Sequence, residues 1–167
     1  HVDAIDVSAA QDGSVLLWRW NDQNLDTLFI AADGGVWAPE NCRGLFMGYE
    51  SLKYVDFSAA FHTENVVDMS FMFASCSSVE SLDLSSFQTS RVTTMEGMFR
   101  DCVSLTKLDA KSFDTSSVIN MEAMFLGCTE LVYVDLTSFD TSQVSACDDF
   151  MAPDSTIHGF PWRMYLF

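Results

Sequence analysis

The sequence predicts an α/β solenoid with short parallel strands on one face, short helices on the other, and about four repeats between terminal caps. Three observations predict it. A 26-residue period runs through most of the chain, each period holds an apolar segment with helical spacing, and each holds a segment typical of a short strand. One such unit cannot bury its apolar face alone, so we expect the repeats to stack around a continuous core.

The period is carried by identical residues in many columns. Among these columns are Met69, Met95 and Met121, then Cys76, Cys102 and Cys128, and then Phe61, Phe87, Phe113 and Phe139. Weaker copies stand at both ends, as expected where the outermost layer must hide its apolar face from water. We therefore divide the chain into an N-terminal cap with a first strand (1–40), tandem repeats of 26–27 residues (41–151) and a C-terminal cap (152–167).

Each repeat is predicted to consist of a turn, a helix of about two turns and a strand. In residues 95–102, apolar side chains stand at i, i+3, i+4 and i+7, which is one face of a helix. The residue before this segment is Thr94, and its equivalents are also typical N-caps: Asn41, Asp68 and Asn120. The last equivalent is Ala146, which cannot cap, so we expect the last helix to be frayed.

A short strand is predicted after each helix. Residues 105–110 follow the pattern L-x-x-L-x-L, in which the leucines point inward. Stacking would give one parallel sheet of six strands, about 30 Å long at the usual strand spacing. In the N-terminal cap, residues 15–20 are predicted to form a strand and residues 32–35 a turn.

The charge of the chain excludes several classes of partner. There are 24 acidic and 8 basic residues, which gives a formal net charge of −16. Nucleic acids and anionic membranes attract basic surfaces, so neither is expected to bind. No apolar run of about 18 residues is present, so we expect no membrane insertion by this segment. Because the chain begins at His1 rather than Met, we expect an excerpt or a processed form.

The five cysteines stand in core columns of the repeat and are predicted to be buried free thiols. A disulfide between adjacent layers is the alternative. Zinc is disfavoured, because a straight column of thiols cannot surround a tetrahedral ion. No cofactor is predicted.

An outward-facing column of aspartates is the main candidate site. Neighbouring carboxylates about 5 Å apart repel by about 1 kcal/mol in bulk water, so something should compensate them. Three compensations are open: hydrogen bonds from nearby Ser, Thr or backbone amides, a bound cation such as Ca²⁺, or the basic groups of a partner. Tyrosines and a lysine run beside the column, as is typical of interaction surfaces. The predicted partner-binding residues are Tyr54, Asp56, Asp83, Lys107, Asp109, Tyr133 and Asp135.

A second column consists of threonines, and we expect their side chains to hold the turns by hydrogen bonds. Its members are Thr63, Thr89, Thr115 and Thr141. No catalytic or nucleotide-binding motif is found, and the three histidines have no base or nucleophile partner in sequence. The sequence therefore predicts a protein that is not an enzyme.

The repeat unit resembles a known family. Residues 82–95 read LDLSSFQTSRVTTM, and Met98, Phe99 and Cys102 follow. This pattern, over roughly residues 41–151, is similar to the BspA-like leucine-rich repeats, which also occur in the mycoplasma lipoprotein-type repeat family. The resemblance implies a leucine-rich-repeat-type solenoid of a bacterial cell-surface or secreted protein. Some members are associated with adhesion to host matrix proteins and with co-aggregation.

From this resemblance we expect a noncatalytic, adhesion-type protein-binding module that uses an acidic sheet face, at the cell surface or outside the cell. The expected partner is a host matrix protein or another bacterial surface protein. A structural spacer or stalk that presents other domains, or a module that binds Ca²⁺ or a glycan, are the alternatives.

Overall fold

The computed structural model describes residues 35–57 and 61–151, except the side chain of Asp56, and the backbone of residues 2–6, 16–22 and 25–31. These residues form nine strands. The strands are β1 (Val2–Asp6), β2 (Leu16–Asp22), β3 (Leu25–Ala31), β4 (Val36–Trp37), β5 (Leu52–Asp56), β6 (Phe61–His62), β7 (Ser81–Leu82), β8 (Lys107–Asp109) and β9 (Tyr133–Asp135).

The strands form three sheets. In the first, β1, β2 and β3 are antiparallel neighbours, and β3 then pairs with β5 in parallel. The second joins β4 to β6, and the third has the order β7-β8-β9; both are parallel. In the third sheet Leu108 lies opposite Leu82 on one side and Val134 on the other, so residues 26 apart are neighbours, as the repeat predicts. The strand predicted in residues 15–20 is confirmed by β2.

The predicted helices are wrong, and the α/β solenoid class with them, because no helix occurs in the part of the chain that the structure describes. In residues 95–102 alternate amides bond to the next repeat. The N–H groups of Met95, Gly97 and Phe99 donate to carbonyls 25 residues further on, at 2.8–3.0 Å. Of the two amides between them, Met98 donates to the carbonyl of Met95 at 3.2 Å and Glu96 donates to the side-chain oxygen of Thr94 at 3.4 Å. We call this arrangement the turn ladder; its layers are residues 42–48, 69–75, 95–101, 121–127 and 147–151.

Residues with positive φ explain why the helical spacing of apolar residues led to a wrong prediction of helices. Every fourth residue of a ladder layer has positive φ, for example Gly97 at 56° and Asp101 at 59°. A left-handed residue ends a right-handed helix, yet a turn repeated every four residues still returns apolar side chains to the same face. Met95, Met98 and Phe99 are therefore buried as expected, on a backbone that is not helical.

The predicted N-cap residues bond to the amides expected of them, although they cap turns and not helices. The side-chain oxygens of Asn41, Asp68 and Asn120 accept the N–H two residues on, at 2.8–2.9 Å. This is an Asx turn, which Asn and Asp favour. Ala146 has no such oxygen, but it still pairs in parallel with Asn120, so the ladder continues through it.

The predicted continuous sheet of six strands is also wrong, because β5 and β7 belong to different sheets. β7 has only two residues, shorter than a usual strand, and both pair with β8. The layers are held instead by the turn ladder and by side chains stacked in the core.

Phenylalanine rings form one such stack. Phe46, Phe73, Phe99 and Phe125 lie nearly parallel, with centroids 5.2, 5.7 and 5.4 Å apart in that order. All four are fully buried. Stacked rings at these distances add to the free energy gained by burying their apolar area.

The cysteine column lies in file within this core. Cys76, Cys102 and Cys128 each donate S–H to a phenylalanine carbonyl of the preceding layer, at 3.0–3.2 Å. These three and Cys42 are buried free thiols. Burial raises the pKa of Cys76 to about 11 and the pKa values of Cys42 and Cys128 to about 12. Cys147 is half-buried at the last layer.

The division into caps and repeats stays a prediction. Most of the turn predicted at residues 32–35 and all of the C-terminal cap, 152–167, lie outside the described residues.

Candidate partner-binding face

Most of the predicted site residues share one exposed face. Parallel pairing sets Lys107 opposite Tyr133 and Asp109 opposite Asp135, while Leu108 between them points into the core. Because alternate residues of a strand face opposite sides, the two outward rows are fixed by the buried leucines and valines. We call the outward side of β5 and β7–β9 the sheet face.

The other predicted residues extend this face. Asp83 is exposed directly after β7, and Tyr54 lies on β5, in the neighbouring sheet. The two tyrosines, Tyr54 and Tyr133, are 37% and 41% exposed. Asp56 ends β5 opposite Phe29 of β3, and its side chain lies outside the described residues.

Local hydrogen bonds compensate the aspartate column. One side-chain oxygen of Asp83, Asp109 and Asp135 accepts the backbone N–H two residues on, at 3.0 Å in each case. Hydrogen bonds to the charged form stabilise it. Bonds from the hydroxyl and amide of Thr137 accordingly lower the pKa of Asp135 to about 2, and those from Ser85 lower the pKa of Asp83. The first of the three predicted compensations is therefore present.

Lysines provide a second compensation within the same face. The Nζ atom of Lys111 lies 3.7 Å from Asp109 and 3.4 Å from Asp135, so one ammonium group bridges two layers. The hydroxyl of Tyr133 donates to Asp135 at 3.3 Å. At the end near β5, Lys53 lies 3.9 Å from Glu80. The sheet face thus carries mixed and largely paired charge, in spite of the net charge of the chain.

The described residues show no group of three or more His, Cys, Asp or Glu side chains placed to hold a metal ion. Asp83, Asp109 and Asp135 instead each turn one oxygen toward the backbone amide two residues on. In the same part of the chain, no helix is long and apolar enough to cross a membrane.

The threonine column joins neighbouring layers. The hydroxyl of Thr89 donates to the carbonyl of Asp114 at 2.9 Å and accepts the N–H of the same residue at 2.8 Å. Thr63 and Thr115 bond in the same way to Gln88 and Asp140. We predicted that these side chains hold the turn. In the structure each of the three buried threonines fastens its layer to the next one.

Sequence reasoning missed a polar file beside these threonines. It consists of Trp37, His62, Gln88, Asp114 and Asp140, which lie at the same corner of successive layers. The first four each precede a buried residue, and Asp140 precedes the half-buried Thr141. We call it the corner file. Trp37 is 58% exposed and stacks on His62, with ring centroids 4.6 Å apart and planes 20° apart. The recurrence of Asp-x-Ser after a buried Phe, at 114–116 and 140–142, was the available sequence signal.

Comparison with known proteins identifies a family. None of the curated proteins and none of the solved structures compared matches the chain. Residues 40–158, well over half of the chain, match the family model described as "Mycoplasma protein of unknown function, DUF285". The chain therefore belongs to this DUF285 family.

Proposed function

We propose that the chain is a noncatalytic, adhesion-type protein-binding module of a bacterial cell-surface or secreted protein. The observation that carries the proposal is the pair of exposed tyrosines, Tyr54 and Tyr133, beside paired Asp and Lys side chains on the sheet face. Tyrosine is enriched at protein interfaces and among the residues that dominate binding energy. The resemblance of the repeats to those of BspA-like surface proteins supports the same assignment.

The frame beneath these tyrosines is suited to binding. Each layer is tied to the next by alternate amides of the turn ladder, and three of the junctions also have a threonine with two hydrogen bonds, as between Thr89 and Asp114. A face built on such a frame loses little conformational freedom on association, so less of the interaction energy is spent on ordering.

The partner we propose is a host matrix protein or another bacterial surface protein. The sheet face offers both signs of charge together with tyrosine hydroxyls, which suits a polar protein surface. Lys107 is exposed in the same row as Tyr133, so an ammonium group lies beside that tyrosine.

Binding to purified matrix proteins tests the proposal. The chain is immobilised, and collagen, laminin and fibronectin are passed over it in surface plasmon resonance. We expect at least one to bind, and we expect the double variant Tyr54→Ser, Tyr133→Ser to weaken its Kd by roughly ten-fold or more, since hot-spot side chains carry about 2 kcal/mol or more.

The matched control is Val103→Ser, Ile119→Ser, which removes two apolar side chains that are exposed elsewhere, at 41% and 50%. Its Kd should stay within about two-fold of the parent value. If none of the three proteins binds, the host-matrix partner is wrong. If both double variants lose the same affinity, the sheet face is not the contact.

A structural spacer is the second candidate. The unbroken hydrogen bonding from layer to layer, down the bridges from Asn41 to Ala146, favours a stiff rod. In a parent protein that displays this array, replacing it by an unrelated rigid spacer of equal length would then preserve function, whereas a binding module could not be replaced in this way.

A further inference from the structure

The corner file has negative charges without basic partners in the described part of the chain, whereas those of the sheet face are largely paired with lysines. Asp114 and Asp140 are both exposed and follow one another in successive layers. Asp114 accepts hydrogen bonds from the amide and hydroxyl of Ser116, at 3.0 and 2.6 Å, and Asp140 accepts the amide of Ser142 at 2.8 Å. These donors are neutral. Within the described ranges no Lys, Arg or His comes within 4.0 Å of either carboxylate, whereas Lys111 bridges two aspartates of the sheet face.

An aromatic platform begins the same file. Trp37 is held by the pairing of β4 with β6 and by its stack on His62, yet more than half of its surface is open. An open indole face attracts ammonium and guanidinium groups through its quadrupole. Beside it, one buried oxygen of Glu64 lies 3.8 Å from Nδ1 of His62 and accepts no hydrogen bond.

The dimensions of the file suit an extended chain. Four layer steps separate Trp37 from Asp140, which is about 19 Å at a strand spacing of about 4.8 Å. An extended peptide rises about 3.3 Å per residue, so about six residues cover the file. The file is thus long enough to contact several side chains of one segment.

We propose that the corner file is the docking surface for an extended, basic segment of the protein partner. One Arg or Lys side chain lies on the open face of Trp37, and others pair with Asp114 and Asp140. The attraction is long-ranged and weakens with salt, because the chain as a whole is strongly acidic. This inference rests on the proposed protein-binding function but uses a different surface from the two tyrosines.

The test measures the Kd between the whole chain and an acetylated, amidated octapeptide of alternating Arg and Ser. The method is isothermal titration calorimetry at about 50 mM salt, where charge pairs are weakly screened. The key variant is Asp114→Asn, Asp140→Asn. Asparagine keeps the side-chain oxygen that accepts the Ser116 and Ser142 amides, so the turns are preserved while the charge is lost. We expect the Kd to weaken by roughly ten-fold, since two charge pairs are removed.

The control variant, Glu122→Gln, Asp148→Asn, makes the same charge change at two exposed residues outside the file. It should weaken the Kd by no more than about two-fold, through the general loss of charge. Trp37→Ser should weaken it by roughly two- to five-fold, the range of an exposed cation–π contact. Unchanged far-ultraviolet circular dichroism confirms that the variants fold.

Several results would overturn the inference. Equal losses in the key and control variants would show diffuse attraction only, and no binding by the parent chain would show that the file has no affinity for a basic segment. If Tyr54→Ser, Tyr133→Ser weakens peptide binding and the corner variants do not, the peptide binds the sheet face. The further inference is then wrong, whereas the proposed function still stands. Binding of neutral chitohexaose that depends on Trp37, with no binding of the peptide, would make the file a glycan site.

Discussion

Replacing Gly97 with alanine should disrupt the packing between two layers of the turn ladder. Gly97 is buried, its φ is 56°, and a Cβ placed on it would come within 2.6 Å of Cδ1 of Phe71 in the preceding layer. Such a distance is well inside van der Waals contact, so either the ring or the backbone must move. The ring is further held by Arg43, whose guanidinium lies 4.7 Å from its centroid.

Two contributions set the size of the effect. The left-handed backbone costs alanine about 1 kcal/mol, and Ala123 shows that the equivalent position one layer on accepts that residue at a φ of 53°. Forcing an extra methyl group into a packed site adds about 1–3 kcal/mol. We therefore expect Gly97→Ala to lower the free energy of unfolding by about 2–4 kcal/mol.

Gly48→Ala is the matched control in this series. Its φ is 78°, and a Cβ there meets nothing within 4 Å, so only the backbone cost of about 1 kcal/mol applies. Free energies of unfolding come from urea denaturation of each variant. In a double-mutant cycle, Gly97→Ala should cost at least about 1 kcal/mol less in the Phe71→Ala background than in the parent chain, because the clash with the ring is then absent. The packing described here is refuted if the two glycine variants are equally destabilised.

Three other predictions concern hydrogen bonds, pH and thiols. Thr89→Val should cost about 1–3 kcal/mol, since it leaves both backbone groups of Asp114 without their partner, whereas Thr129→Val at an exposed site should cost under about 0.5 kcal/mol in the same urea assay. The pKa of Asp135 is depressed to about 2 from an ordinary value of 3.8, so its contribution is complete above about pH 4 and is lost as pH falls toward 2. Urea midpoints should therefore drop across this window, and less so in Asp135→Asn; equal drops would contradict the assignment. A thiol reagent at neutral pH should leave the four buried cysteines unmodified in the folded chain and detect five free thiols after denaturation without reductant, and a lower count would show a disulfide.

The layered core could be predicted from the sequence because identical residues recur at one period. Leu82, Leu108 and Val134 face one another as their spacing requires. The aspartate column and its local hydrogen bonds could also be predicted, since Asp followed two residues later by Ser, Lys or Thr is a common Asx arrangement.

The backbone of the turn ladder could not be predicted in the same way. A four-residue turn and a helix place apolar groups at similar intervals, and only residues such as Phe71 and Asp101, which take positive φ without being glycine, separate the two. Local conformational propensity does not identify such positions, because the hydrogen bonds that hold them come from a layer 25 residues away.

The corner file was missed for a different reason. Trp37 and His62 are 25 residues apart, not 26 or 27, and Trp37 falls in the segment assigned to the N-terminal cap. This spacing takes Trp37 out of the column formed by His62, Gln88, Asp114 and Asp140, which stand 26 residues apart, although the parallel pairing of β4 and β6 places Trp37 beside His62.

The central claim is that alternate amides of the turn ladder bond to the following layer and not within a helix. Scalar couplings across hydrogen bonds, measured by nuclear magnetic resonance on the isotope-labelled chain, test it directly. We predict couplings from the amide nitrogens of Phe73 and Phe99 to the carbonyl carbons of Met98 and Met124, whose oxygens lie 2.9 and 3.0 Å away. Couplings from these amides to carbonyls four residues earlier would instead show helices and contradict the account.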